Sequence, residues 1–329
     1  MIAAVGAFDG FHKGHQALLE RARTIAAGAR RDWGAVTFAR HPDEFIFPEK
    51  NFKFLYSQKE RRMLGRFFAI PTVREIEFTP RIANMSPAEF LDFISGEFGV
   101  DGIVVGEGFR FGKNREGTAD FLSGECQKRN WPLGIVSAVN DLRGEPISST
   151  SIRDTVAAGD MRYAWETQGH PYFCAGLVVH GNERGRTIGF PTANLETAPE
   201  KVGARRGSYA ALAFVNGHWR AGAANIGLNP TFNDVRGTRF EVFLLDFEGD
   251  IYGVEIAVFL LERLRDETRF ANIDELKEQI SQNVGETREI AERFLRAEQA
   301  LWEKFREAFA RKKPADPART RQGAGSIFL

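Results

Sequence analysis

Residues 2–25 constrain the fold more than any other stretch of this chain. An apolar run, Ile2-Ala3-Ala4-Val5, leads into Gly6-Ala7-Phe8-Asp9-Gly10-Phe11-His12-Lys13-Gly14-His15, and helical periodicity follows from Ala17 to Ile25. The order is strand, tight glycine turn and helix start, with two imidazoles three residues apart at the join. Such a join gathers phosphate: glycine lets the backbone approach, the helix N-terminus favours negative charge, and imidazoles donate to oxygens. Two other readings stand beside it. One is a surface turn with two solvated histidines; the other is a transition-metal pair, for which no cysteine or third histidine lies nearby in sequence.

The rest of the chain sets bounds. Its 329 residues suffice for about two domains with a sizeable core. Lys plus Arg and Asp plus Glu number 44 each, so no net charge draws nucleic acid or an anionic membrane. RNP and KH signatures are missing too, so no nucleic-acid partner is expected. Cys126 and Cys174 form no CxxC pair, which points to neither a disulfide framework nor a zinc site. No apolar stretch approaches the roughly 18 residues of a membrane helix, and the N-terminus runs straight into the first strand. A cytoplasmic protein without a membrane partner is the expectation. Against 5 Tyr stand 29 Phe, most for the core and a few for a pocket that takes a flat ligand.

The first half alternates strands (35–38, 72–76, 102–106, 133–136) with helices (16–28, 58–68, 118–129). A further helix, N-capped by Ser86 with Pro87 at its first position, runs through Phe98. This alternation implies a parallel sheet covered on both faces, with ligands at the carboxyl ends of its strands, where the 6–15 turn lies. Near residue 168 the pattern changes. Strands at 173–179, 209–216, 219–225, 239–247 and 255–261 are joined by glycine turns, as in an antiparallel sheet or small barrel. Helical periodicity returns over 273–311. The tail 312–329, with its Pro, Gly, Arg and Ser, is expected to be disordered.

Three more segments carry chemistry. Gly106-Glu107-Gly108-Phe109-Arg110-Phe111-Gly112-Lys113 follows a strand, and its glycines let the backbone bend round a planar or phosphorylated group; a plain β-turn is the competing reading. Ile147-Ser148-Ser149-Thr150-Ser151-Ile152-Arg153 opens a helix, where hydroxyls, N–H groups and a guanidinium suit a triphosphate, or where Ser and Thr simply cap. Gly181-Asn182-Glu183-Arg184-Gly185-Arg186-Thr187-Ile188-Gly189-Phe190-Pro191-Thr192-Ala193-Asn194 has glycines for phosphate approach but no P-loop lysine, and Thr192 and Asn194 are hard oxygen donors suited to Mg²⁺.

Taken together in this order, with GxFDGxHxGH, GFRFG, SSTxIR, GRxxGFPTAN and a later Glu-Val-x-Leu-Leu-Asp-Phe strand, these segments resemble the bifunctional prokaryotic riboflavin kinase/FAD synthetase (FMN adenylyltransferase) family over about residues 2–300. The resemblance implies a Rossmann-like α/β nucleotidyltransferase domain over 1–168, then an antiparallel flavokinase-type β-barrel domain with a C-terminal helix over 169–311. It implies riboflavin, FMN and FAD as substrates and products, ATP as co-substrate and Mg²⁺ as the metal; oligomeric state is left open.

The same resemblance implies roles for particular residues. His12 and His15 contact ATP phosphates, Gly6, Phe8, Asp9, Gly10 and Gly14 shape the turn, and Phe109, Arg110 and Phe111 bound a ligand. Arg153 with Ser148, Ser149 and Thr150 holds phosphates. Gly181, Gly185, Arg186, Gly189 and Pro191 cradle the second nucleotide, Thr192 and Asn194 hold Mg²⁺, and Glu241 is the base for the ribityl hydroxyl. Asn225, in Asn225-Ile226-Gly227-Leu228-Asn229-Pro230-Thr231-Phe232, lies beside the nucleotide, and Arg265, in Leu264-Arg265-Asp266-Glu267, near the flavin. Alternation sends Glu241, Phe243 and Leu245 to one face, where apolar neighbours would partly desolvate the carboxylate and favour a working base. Position 108, usually Asn or Asp in the family, is Gly here, so one polar contact is missing. That departure is the one feature favouring a flavin- or nucleotide-binding protein with a degenerate adenylyltransferase site. A pantetheine- or nicotinate-type adenylyltransferase would share HxGH but leave GRxxGFPTAN unexplained.

Overall fold

In a computed structural model, the chain is described except at residues 48, 50–51, 182–184, 186–187, 229–237, 311–326 and 329. It divides into two compact units. The first comprises Met1–Lys53 and Arg61–Ser148 with the C-terminal segment, and the second Phe54–Glu60 and Ser149–Arg311.

The first unit is built on a six-stranded sheet of order β12-β3-β2-β1-β4-β5. Strand β1 (Ile2–Val5) lies between β2 (Trp33–Phe38) and β4 (Gly102–Gly106), parallel to both, with Ile2 opposite Trp33 on one side and Gly102 on the other. Strands β3 (Val73–Ile76) and β5 (Leu133–Val136) extend the two wings in parallel. The chain fills one wing, then the other, so the strand order reverses at β1, and the 6–12 turn leaves its carboxyl end at this switch point. Burial explains the composition of these strands. Ile2 to Val5 and Ile103 to Val105 are covered on both faces and are apolar throughout.

Helices α1 (Lys13–Ala29), α2 (Pro42–Ile46), α3 (Gln58–Phe67), α4 (Pro80–Ala83), α5 (Pro87–Phe98) and α6 (Ala119–Arg129) precede α7 (Ser149–Ala158) and α8 (Met161–Gln168). The expected cap of α5 is present as a capping box: the Glu89 N–H donates to Ser86 Oγ at 3.3 Å, and the Ser86 N–H to Glu89 at 2.8 Å.

The second unit is a closed barrel, in the order β10-β7-β6-β11-β8-β9 with antiparallel neighbours. Its strands are β6 (Phe173–Val179), β7 (Thr192–Leu195), β8 (Gly207–Val215), β9 (His218–Leu228), β10 (Thr238–Leu244) and β11 (Glu255–Arg265). Among the described residues, closure leaves no exposed edge. Helices α9 (Ile273–Ala297) and α10 (Gln299–Ala310) follow. Much of the phenylalanine excess is spent here: Phe173 stacks on Phe259 at 4.8 Å between centroids, and Phe305 meets Phe259 edge-on, also at 4.8 Å.

The expected α/β domain and antiparallel barrel are both present, and some details differ. The helical run over 273–311 is two helices, broken at Glu298. The compact units divide at 148/149, ahead of the expected change at 168, because α8 packs with the barrel's helices: Trp165 stacks on Phe294 at 4.8 Å. Most of the tail expected to be disordered lies outside the described residues. Ile327–Phe328, however, form β12, pairing antiparallel with the edge strand β3.

Candidate active sites

The turn after β1 in the first unit is held from below by apolar anchors. Phe8 and Phe11 take left-handed φ values of 48° and 45°, costly for bulky residues, and Gly10 takes 93°. Burial of both rings offsets the cost: Phe8 lies 5.6 Å from Phe11, and Phe11 stacks on Phe68 at 5.7 Å. Thr37 Oγ1 donates to Ala7 O at 3.0 Å, and Gln16 Nε2 to Phe11 O at 2.8 Å, tying both ends of the turn. Asp9 is wholly buried beneath it.

His12 is the N-cap residue of α1 and His15 sits in the helix's first turn, so their rings stack, with centroids 3.7 Å apart. Gly14 makes room for this: a Cβ there would lie 3.0 Å from the His12 ring. Burial, and then the adjacent His12, hold the His15 pKa well below 6.5. At neutral pH its imidazole is therefore uncharged and donates from one nitrogen. His15 Nδ1 is buried with no hydrogen-bond partner among the described residues, so a phosphate oxygen would find a donor there at the end of a helix dipole. Gly6 leads into the turn, its N–H donating to Val36 O at 3.1 Å.

The 106–113 segment gives its residues different surroundings. Phe111 is a core residue, 5.6 Å from Phe90 and stacked on Phe109 at 5.4 Å. Arg110 is exposed, and its Nη1 donates to Phe109 O at 3.1 Å. Ser148 falls in the first unit, while Ser149, Thr150 and Arg153 begin α7 in the second. There Arg153 Nη2 donates to Thr150 Oγ1 at 3.0 Å, which sets the guanidinium against that hydroxyl in the first turn.

In the barrel, register makes the site. Glu241 on β10 faces Asn194 on β7 and Asn225 on β9; Asn225 faces Ser208 on β8, and Ser208 faces Arg265 on β11. Five polar residues thus form one row across five strands. The far end of the row depends on the β11 bulges, where the pairing slips between Leu260 and Glu262 and again between Arg263 and Arg265. Alternation turns Phe240, Val242 and Leu244 to the other side of β10, where they are buried. Glu241 itself is 13% exposed, and Thr192 Oγ1 donates to its Oε1 at 3.4 Å. The expected apolar companion on its face is Phe243, with Phe190 edge-on at 5.4 Å; Leu245 lies beyond the strand's end.

Gly181 packs its backbone against the Asn194 amide, where any Cβ would collide with the side chain. Gly185 accepts from the Phe190 N–H at 2.8 Å, closing the turn that contains Gly189 and delivers Pro191 to β7. At the other end of the row Arg265 lies over the Phe270 ring at 5.5 Å, and burial lowers its pKa. Arg186, and residues 229–232 of the Asn225 segment, lie outside the described residues.

Thr192, Asn194 and Glu241 offer a hydroxyl, an amide carbonyl and a carboxylate, all hard oxygen donors. That set fits a divalent cation which brings phosphate oxygens with it to complete its shell. Pattern and resemblance alone give Arg239 no role. Two residues before Glu241 on a strand, it shares Glu241's face, and its Nη2 donates to Glu241 Oε1.

A riboflavin kinase family model matches residues 168–291 and an FAD synthetase model residues 1–151. Bifunctional riboflavin kinase/FMN adenylyltransferases align over most of both lengths. The Listeria monocytogenes protein is 32% identical, over 87% of this chain and 91% of that protein. The Pseudomonas fluorescens protein is 35% identical, over 88% and 93%, and the Escherichia coli protein 35%, over 86% and 90%. The crystal structure of a macrolide-efflux protein from Streptococcus pneumoniae, 32% identical, superposes with a TM-score of 0.80 over 87% of this chain and 93% of that one. Among the described residues of this chain, no helix is long and apolar enough to cross a membrane. By its relatives, and by the two family models falling on its two halves, the chain belongs to the bifunctional riboflavin kinase/FMN adenylyltransferase family.

Proposed function

We propose that the chain makes FMN from riboflavin and ATP with its barrel, and FAD and pyrophosphate from FMN and ATP with its N-terminal domain. Phosphoryl transfer is assigned to residues 169–311 and adenylyl transfer to residues 1–168, helices α7 and α8 packing with the barrel while carrying a phosphate-binding segment. The observation that carries the reading is the cross-strand row in which Glu241 stands between Asn194 and Asn225, with Thr192 bonded to its carboxylate.

In the barrel, Glu241 takes the proton of the ribityl hydroxyl as its oxygen bonds to the γ-phosphorus and the bond to the β-bridging oxygen breaks, releasing ADP. Thr192 orients the carboxylate, and the Gly181 and Gly185 backbone leaves room for phosphate. Thr192 Oγ1 and Asn194 Oδ1 would hold Mg²⁺, which when bound neutralises charge on the phosphates. Asn225 and Arg265 line the same row towards substrate.

In the first unit, an FMN phosphate oxygen attacks the α-phosphorus of ATP and pyrophosphate leaves. No proton has to be removed from a phosphate dianion, so positioning and charge stabilisation are most of the task. His12 and His15 donate to phosphate oxygens at the N-terminus of α1. Within α7, Arg153 with Ser149 and Thr150 forms a separate candidate phosphate-binding group, its guanidinium donating to the Thr150 hydroxyl. Balanced charge and two reduced thiols fit a cytoplasmic enzyme that takes small-molecule substrates.

Incubation of the full chain with riboflavin, ATP and Mg²⁺, followed by separation of the flavins, tests the reading. FMN and FAD should both form. FMN alone would select a degenerate adenylyltransferase site, and no product would overturn the reading.

A further inference from the structure

Arg239 is anchored where its charge matters. Its Nη2 donates to Glu241 Oε1, the oxygen that also accepts from Thr192 Oγ1, and its Nε donates to Asn194 Oδ1 at 3.4 Å. One guanidinium thus spans the carboxylate and the amide carbonyl from two adjacent strands. The side chain is 25% exposed, so its fork is held against the sheet rather than extended into solvent. A fixed fork of this kind matches paired oxygens, and it matches phosphate equally well.

Resting on the reading of Glu241 as base and Asn194 as metal ligand, we propose that Arg239 is a positioning residue that serves as resting counter-cation of the kinase site. Without nucleotide, its guanidinium holds the Glu241 and Asn194 oxygens in place, and Asn194 Oδ1 is a donor atom that the divalent cation would also use. The metal–nucleotide displaces it, and the released guanidinium pairs with the incoming phosphates. Two cations on one small set of oxygens repel strongly at partly buried positions, so a bare metal ion competes poorly with Arg239, whereas a metal that arrives with phosphate brings the arginine a new partner.

The test measures Mn²⁺ binding to the full, nucleotide-free chain by electron paramagnetic resonance, which needs no turnover. Arg239→Gln should bind Mn²⁺ at least about threefold more tightly than the parent, because the repulsion is removed. Arg239→Lys, which keeps the charge, should bind it as the parent does. In riboflavin phosphorylation, Arg239→Gln should lower kcat by about tenfold or more, with a smaller change in the KM for ATP, and Lys should restore part of kcat. Equal or weaker Mn²⁺ binding in the Gln variant, including no detectable binding in either protein, overturns the proposal. Should the Gln variant not fold, the parent chain still decides. The Arg239 Nε–H resonance, identified by its loss in Arg239→Lys, must shift on addition of Mg²⁺ and ADP, and an unmoved resonance overturns displacement. Full FMN formation by Glu241→Gln would instead refute the assignment of the base, and the Mn²⁺ competition would be judged on its own result.

Discussion

Lys201 donates to Glu60 at 2.9 Å inside the second unit, with side chains only 4% and 1% exposed. The carboxylate also accepts from the Ala175 N–H at 2.7 Å and the Ser57 N–H at 2.8 Å, while the ammonium donates to Leu55 O at 2.7 Å. The Tyr56 and Tyr172 rings lie 4.3 and 4.4 Å from Lys201 Nζ. Both charges are hydrogen-bonded to more than each other, which makes their burial tolerable. It also explains why seven residues from the N-terminal third of the sequence, Phe54–Glu60, belong to the barrel unit.

Breaking this pair from one side leaves a buried charge without its partner. Glu60→Gln or Lys201→Met should each destabilise the barrel unit by about 3–5 kcal/mol, and the double substitution Glu60→Met/Lys201→Met should recover much of the loss. Chemical unfolding of the four proteins measures this; single variants with the parent midpoint would refute it. A fragment of residues 169–311 keeps Lys201 and loses Glu60, so it should be insoluble or unfold far more readily than the full chain, even though the sequence pattern breaks near 168.

The contrast shows what a sequence displays. Strands β4, β5 and β6 match their apolar runs residue for residue, and α5 begins at its expected cap, because each is specified by local pattern. Strand β7 shows in the sequence only as a run of oxygen donors. Four residues, Thr192 to Leu195, are too few for alternation to stand out after a glycine-rich stretch. Nothing local in 54–60 says that it pairs with residues some 140 positions away. Among the candidate site residues, His12, His15, Thr192 and Asn194 stand out by type and spacing, whereas Glu241 is singled out only through the family resemblance. The row linking Asn194, Glu241, Asn225, Ser208 and Arg265 does not show in the sequence, since it depends on strand order and on two bulges. Arg239 lay in plain view, two residues before Glu241, where strand parity alone puts it on the carboxylate's face.

Glu241→Gln keeps the shape of the side chain and removes its capacity as a base. Riboflavin phosphorylation should fall by about 10²–10⁴-fold. Conversion of supplied FMN to FAD should persist, because that chemistry is assigned to the other unit. Separate assays on riboflavin and on FMN measure the two steps, and near-normal FMN formation would remove Glu241 from the role.

Gly108 tests the missing polar contact. It is exposed, and a Cβ there would meet nothing within 4 Å, so a side chain fits without rearrangement. Gly108→Asn should leave the melting temperature unchanged and raise FMN-to-FAD turnover by about fivefold, the worth of one net hydrogen bond. An unchanged rate would show that the adenylyl step does not need a polar group there.

His15 carries the last prediction, in two independent parts. Its folded pKa lies well below 6.5 because burial and His12 disfavour the imidazolium. Below pH 6.5 the unfolded chain therefore binds a proton that the folded chain does not. This contribution to stability is fully present above pH 6.5 and is lost as pH falls from there through the lower folded value. The melting temperature of the parent should thus drop more steeply from pH 7 to pH 5 than that of His15→Asn, and parallel curves would refute the burial of a neutral imidazole. For catalysis, an imidazole that donates to a phosphate oxygen gaining charge matters more for turnover than for ATP affinity. His15→Ala should lower FMN-to-FAD conversion by about 10²-fold, in the range of a lost charge-stabilising donor, with riboflavin phosphorylation unchanged. Metal analysis of untagged protein runs beside these kinetics. Stoichiometric zinc that disappears in His15→Ala, or FAD formation indifferent to the substitution, would replace the phosphate role with a metal or a structural one.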